Sequence, residues 1–130
     1  MAVTASEKAE ITRTVDLYVE GMRNGDGAML REAFHPQAWM FGNLAGTRYD
    51  EPIGDLIATV DGHPLDVDGS YQARVVSIEQ AGDAAIAVLE EEGCWGTVAF
   101  TDFFTLAQID GAWMIVNKTF AHTGGEPPPM

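Results

Sequence analysis

Residues 97–122 read TVAFTDFFTLAQIDGAWMIVNKTFAH, and the reading of this stretch decides the fold. Two apolar-rich runs, 97–109 and 112–122, flank Asp110-Gly111. Asp-Gly between such runs is a strong signal for a two-residue hairpin, because both turn residues must accept positive φ. The runs are therefore antiparallel neighbours. Upstream, Gly82-Asp83 separates residues 71–80 from 84–92, and Gly93 to Gly96 separate 84–92 from 97–109. The spacing predicts four long strands in a meander.

The first half of the chain carries a different period. Thr4-Ala-Ser-Glu7 reads as a capping box, and Ile11, Val15, Tyr18 and Met22 then recur at helical spacing. Asn24-Gly25 ends that helix, since Gly takes a left-handed C-terminal position without a Cβ penalty. Asp26 caps a short second helix carrying Met29, Leu30, Ala33 and Phe34, and His35-Pro36 stops it. Ala38-Trp39-Met40-Phe41 reads as a buried strand and Gly46 as a turn. Asp50 reads as the cap of a third helix with Ile53, Leu56, Ile57 and Val60 on its inner face. Asp61-Gly62-His63-Pro64 breaks it, and residues 65–69 are loop. Helices followed by a meander make an α+β protein. One domain is expected over residues 1–130, with its core in 6–122. The Gly/Pro tail at 123–130 cannot continue a central strand, because Pro lacks the ladder donor.

Composition narrows the partners. Apolar residues make up 46% of the 130 and charged ones 21%, the proportions of a chain that folds around a core. The formal charge of -13 repels phosphate backbones and anionic membrane surfaces, so neither nucleic acid nor membrane is expected as a partner. Cys94 is the single cysteine, which excludes an intramolecular disulfide and offers no zinc spacing. The first twenty residues lack an apolar signal-peptide core, and no apolar run approaches bilayer length. A cytoplasmic location is the expectation. Three scattered histidines make no metal site, and phosphate-binding glycine loops and nucleotide fingerprints are absent. No cofactor is expected.

The hairpins also assign faces, because a turn sets register and register decides which side chains share a side. They pair Leu106 with Ile115, Phe104 with Asn117, Asp102 with Thr119, Leu89 with Phe100, and Arg74 with Glu91. One face is then mostly apolar and should pack on the helices. Its exceptions are Arg74, Glu91, Asp102 and Asn117, which are costly to bury unless satisfied. Ala85 and Ala87 beside them leave space. The opposite face carries Val88, Phe103, Val116 and Phe120, too apolar for a solvated surface, so a homodimer through it is expected. Lys118 and His122 fall on that outer face. A single bulge would exchange the faces downstream of it.

Helix lengths, Phe34-His35-Pro36 leading into a strand, and the closing meander resemble the nuclear transport factor 2-like superfamily. Asp102-x-Phe104-x-Leu106 and Asp110-Gly-x-Trp113-x-Ile115-Val116-x-Lys118-x-Phe120 are the most specific part. They are similar to the bacterial subgroup labelled putative lumazine-binding, or SnoaL-like. The resemblance spans about residues 6 to 122. It implies three helices packed in a curved antiparallel sheet, a cone-shaped α+β barrel with a pocket at its open end, and frequent dimers. Enzymes of the superfamily, such as ketosteroid isomerases, scytalone dehydratases and polyketide cyclases, use a pocket Asp or His on small apolar substrates. The isomerase's Tyr and Asp oxyanion pair and the dehydratase's paired histidines are not matched to positions of this chain.

Asp102 is the first candidate for the chemistry. In an apolar pocket its carboxyl would suit general acid–base work; bonded to Thr119, Asn117 or backbone amides it would be structural. Arg74 and Glu91 read as a cross-strand ion pair or a substrate clamp. Tyr18, Trp39, Phe104 and Trp113 could supply an aromatic wall, and Asn117 a polar end. His35 caps locally or faces the pocket mouth. Lys118 and His122 would join Asp102 only through a bulge. Cys94 has no assigned base. Three functions remain open: a small-molecule-binding domain, an isomerase, dehydratase or cyclase using Asp102, and a dimeric module with a filled core.

Overall fold

A computed structural model describes residues 5–128. Helix α1 spans Ala5–Asn24, α2 Gly27–Ala33 and α3 Ile53–Val60. The strands are β1 Phe34–Leu44, β2 Thr47–Pro52, β3 Gln72–Ala81, β4 Ala84–Cys94, β5 Val98–Ile109 and β6 Ala112–Gly124. The three helices pack against one curved, unclosed six-stranded sheet in the order β2-β1-β6-β5-β4-β3. Among the described residues no helix is long and apolar enough to cross a membrane.

Local chemistry explains most boundaries. Ile11, Val15, Tyr18 and Met22 form the buried stripe of α1, and the helix ends at Gly25, whose φ is 65°. Thr4 of the expected capping box lies outside the described residues. Asp26 caps α2, its Oδ1 accepting from Met29 N at 3.1 Å, an interaction usually worth about 1 kcal/mol. At the same helix start, Asp61 Oδ1 accepts from Gly27 N at 3.0 Å and ties the end of α3 to α2. Asp110 and Gly111 have φ of 51° and 84°, the left-handed pair that a tight hairpin demands.

Several expectations change. Ala38 and Met40 are buried but Trp39 and Phe41 are exposed, so this segment is a half-buried strand. Ala45-Gly46 is a second tight turn, with φ of 50° and 86°. It sends residues 47–52 back as β2, which the polar sequence TRYDEP conceals. Asp50 therefore does not cap α3; Pro52 takes that position without a side-chain bond. Asp50 lies in β2, where Oδ1 accepts from Trp39 Nε1 at 2.7 Å and Oδ2 from Arg48 at 3.3 Å. The β1–β6 pairing is parallel, the exception in an otherwise antiparallel sheet.

Register carries the largest correction. Leu106 opposes Ile115 as the hairpin requires, but Thr105 opposes Asn117, leaving Val116 as an extra residue in β6. Beyond this bulge the faces exchange. Lys118 and Phe120 turn inward and are 5% and 8% exposed, and Asn117 turns to the half-exposed outer side. Asp102 opposes Phe120 and Phe104 opposes Lys118. A further irregularity at Val76 pairs Arg74 with Glu90 rather than Glu91. In β4 and β5 the pairing slips by two residues, to Leu89 with Asp102 and Glu91 with Phe100. A two-residue slip preserves the side, so Ala85, Ala87, Leu89 and Glu91 remain inward and buried.

Candidate functional site

The polar residues of the interior converge on one place. Glu91 from β4 and Asp102 from β5 are 3% and 0% exposed. The Tyr18 hydroxyl, presented by α1, lies 3.2 Å from Asp102 Oδ2 and 3.5 Å from Glu91 Oε2. Tyr71, at the start of the chain's return into β3, donates to Glu91 Oε1 at 2.7 Å. Burial first, then the charge and hydrogen bond of the Asp102 carboxyl, push Glu91 well above the usual carboxylate range; Lys118 and the Tyr71 hydrogen bond pull it part of the way back. Asp102 Oδ1 is buried without a hydrogen-bond donor. The raised Glu91 carboxyl holds its proton more tightly beside Asp102, because a second negative charge there would repel the first. Burial and the two neighbouring acids also hold the Tyr18 phenol protonated.

Phe34 and Phe104 fix the Tyr18 ring edge-on, with centroids at 5.8 and 4.9 Å. Lys118 lies over the other side of this group. Its Nζ is 5.2 Å from the centroid of Tyr18 and 5.3 Å from that of Phe120, distances at which a cation is attracted to a ring. Among the described residues it forms no hydrogen bond or ion pair.

Glu91 and Lys118 open onto a cavity of about 140 Å³ between α3 and the sheet. Its apolar walls come from Met22, Met40, Leu56, Val60, Phe100 and Phe120. Trp95 and Leu65 also line it; the Trp95 amide donates to Leu65 O at 2.8 Å, joining the β4–β5 turn to the loop after α3. Leu44, Tyr49, Glu51 and Thr59 complete the lining, half-buried or exposed. The Phe120 ring lies over the backbone of Gly42, where a Cβ would meet ring atoms at 2.5 Å.

The sequence candidates separate accordingly. Tyr18, Glu91, Asp102 and Lys118 come together, and Phe104 supports them. Asp102 stands behind Glu91 and Tyr18 rather than in the cavity wall. Trp113 is buried elsewhere in the core, its carbonyl accepting from Thr14 at 3.0 Å. Trp39 is exposed and bonded to Asp50, and Arg74 is exposed and paired with Glu90. His35 accepts from Gln37 N through Nδ1 at 3.0 Å. Asn117 accepts from Thr119 on the outer side. His122 lies near Phe100, at 6.0 Å between rings, and its Nδ1 accepts from Ala45 N. Phe120, expected in an outer patch, is a cavity wall. Tyr71, expected as the first residue of a strand and not as a site residue, lies just before β3, which begins at Gln72. Cys94 is fully buried, and burial raises its thiol further above the usual range. Among the described residues no group of three or more His, Cys, Asp or Glu could hold a metal ion.

Comparison with known proteins agrees with this architecture. The family described as putative lumazine-binding matches residues 6–121. A protein from Cladobotryum sp. named aldolase FrzH is 31% identical over 119 residues, covering 91% of this chain and 93% of its own. The crystal structure of a nuclear transport factor 2-like protein of unknown function from Methylobacillus flagellatus KT superposes with a TM-score of 0.85 at 30% identity, covering 93% of this chain and 95% of that one. Another of unknown function, from Shewanella baltica OS155, gives 0.81 at 29%, covering 92% and 96%. The chain belongs to the putative lumazine-binding family of the nuclear transport factor 2-like superfamily.

Proposed function

We propose that the chain binds a small, largely apolar molecule in the cavity beside α3 and turns an oxygen-bearing end of it toward Lys118 and Glu91. One observation carries this reading: apolar walls enclose a cavity whose inner polar groups are a buried lysine and a buried glutamic acid. Few convergent polar groups in an apolar hollow are the usual form of a ligand site. An ammonium with no hydrogen-bond acceptor of its own is suited to a carbonyl, enolate or carboxylate oxygen. Native mass spectrometry of protein purified gently from its own host, before and after denaturation, tests it. A discrete small mass lost on denaturation supports the reading. A chain that carries none, and whose Trp95 fluorescence no small aromatic carbonyl changes, sinks it.

A second reading is acid–base catalysis on a carbonyl compound. The Glu91–Asp102 pair favours it, because two interacting acids can take up and return a proton near neutrality. The relative named an aldolase points the same way. Exchange of the α-hydrogens of phenylacetone for deuterium, followed by proton NMR, is the test. Exchange by the wild type that Glu91→Gln abolishes and Asp102→Asn reduces supports it; equal exchange in all three removes it.

The outer sheet face suggests assembly. Phe103 is 49% exposed and Ile86 45%, next to half-buried Val88 and Val116. We take a second copy of the chain as the occupant of this face.

A further inference from the structure

We propose that Lys118 is a covalent site, whose amine condenses with the carbonyl carbon of an apolar aldehyde or ketone in the cavity to form an imine. The inference rests on the carbonyl-binding reading above and specifies its chemistry.

The chain has two lysines, Lys8 and Lys118. Lys8 is exposed on α1, whereas Lys118 is 5% exposed in the cavity wall. Lysine is rarely buried unless paired, and this one lies against two aromatic rings and within the electrostatic reach of Glu91 without forming an ion pair. The ammonium is retained inside with its donors unused. Ring attraction and the Glu91 charge offset part of the burial cost but leave the ammonium donors without acceptors, which is unfavourable for a buried charge. Imine formation accounts for that arrangement. A lysine in a largely apolar pocket is a nucleophile for carbonyl carbons.

The surrounding groups supply the proton transfers. Lys118 gives a proton to the carboxylate of the Glu91–Asp102 pair and attacks the carbonyl carbon, forming the C–N bond. The resulting oxygen takes up protons from the pair and leaves as water as the C–O bond breaks. Two ammonium protons thus depart with the carbonyl oxygen, and the iminium nitrogen keeps the positive charge. No electron acceptor or donor is needed. Tyr18, bonded to both acids, is the bridge between them. Cys94, the other buried nucleophile, does not line the cavity.

Benzaldehyde, an apolar carbonyl probe, with sodium cyanoborohydride as the added reductant, tests the proposal on the full chain. The hydride converts any iminium into a stable benzyl amine. Intact mass should rise by one benzyl group, and peptide mapping should place it on Lys118. Lys8→Arg should label as the wild type does, and Lys118→Arg should lose the adduct. Glu91→Gln should slow labelling by about a hundredfold, the usual effect of losing an acid–base group. Lys118→Met, checked by near-ultraviolet circular dichroism, replaces the Arg variant if that variant fails to fold. Preferential labelling of Lys8 or the terminal amine, or an undiminished adduct without Lys118, overturns the proposal. Benzyl alcohol, which cannot condense, separates the two readings. Trp95 quenching by it, without benzaldehyde trapping, overturns the imine and leaves the binding site standing. If neither probe engages the chain, both fall.

Discussion

The Lys118 ammonium lies 5.2 Å from the centre of the Tyr18 ring, while the hydroxyl of the same tyrosine reaches the carboxyls of Asp102 and Glu91. One aromatic side chain from α1 thereby meets a buried cation with its ring and a buried acid pair with its hydroxyl. On the proposed reading, a ligand oxygen entering the cavity would meet Lys118 and Glu91, which both line it.

Lys118→Met should keep the apolar wall and remove the donor. Affinity for an aromatic carboxylate such as benzoate, measured by Trp95 fluorescence with Trp95→Phe as the control, should fall by about 2 kcal/mol, the range for a hydrogen bond to a charged group. Affinity for benzene itself should not fall. Equal losses for both ligands would mean that the cavity had collapsed, and the proposed polar end would then have no support.

Glu91 sets a pH dependence of stability. Its folded pKa lies above the ordinary 4.5, so the folded chain holds a proton that the unfolded chain releases. The group's contribution is fully present below 4.5 and is lost as pH rises toward the raised value. Between those limits the wild type should lose stability relative to Glu91→Gln by at most about 1.4 kcal/mol per pH unit. Urea unfolding of both proteins from pH 4 upward measures this difference. A difference that does not change with pH would mean that Glu91 is ionised in the folded chain.

Gly42→Ala should close the cavity from the side. The added methyl would stand 2.5 Å from the Phe120 ring, which must move toward the hollow to make room. The expected result is a stability loss of about 1–3 kcal/mol from overpacking, together with weaker ligand binding. Gly46→Ala, in the adjacent turn with φ 86° and open surroundings, is the control: it should destabilise through backbone strain and leave binding alone.

Phe103→Asp addresses the outer face. Opposed across a two-fold axis, the new carboxylates would repel within an apolar contact. Analytical ultracentrifugation should then find a dimer for the wild type and a monomer for the variant, with unchanged circular dichroism. A monomeric wild type removes the second copy as the occupant of this face.

Much of the fold was legible because its signals are local. The left-handed pair at Asp110-Gly111, the left-handed Gly25 after Asn24, the Asp26 cap and the α1 stripe each rest on a few neighbouring residues. The inward set of β4 and β5 was also legible: alternation has period two, so the two-residue slip between them moved Glu91 and Asp102 along the sheet without turning them over. Tyr18, Glu91 and Asp102 could therefore be read as interior polar groups from the sequence alone.

The tertiary structure alone decided the rest of the site. A bulge has no composition of its own, and Val116, apolar and β-branched, suits either side of a sheet. Its insertion exchanged Phe120 and Lys118 for Asn117 on the inner face, and the irregularity at Val76 put Arg74 outside with Glu90. A lone lysine reads from sequence as a solvated residue, because desolvation opposes its burial. Only the folded chain brings it beside two rings, the Glu91–Asp102 acid pair and an apolar hollow. Sequence determined which residues could be polar inside this protein, and the bulge in β6 decided that one of them is a lysine.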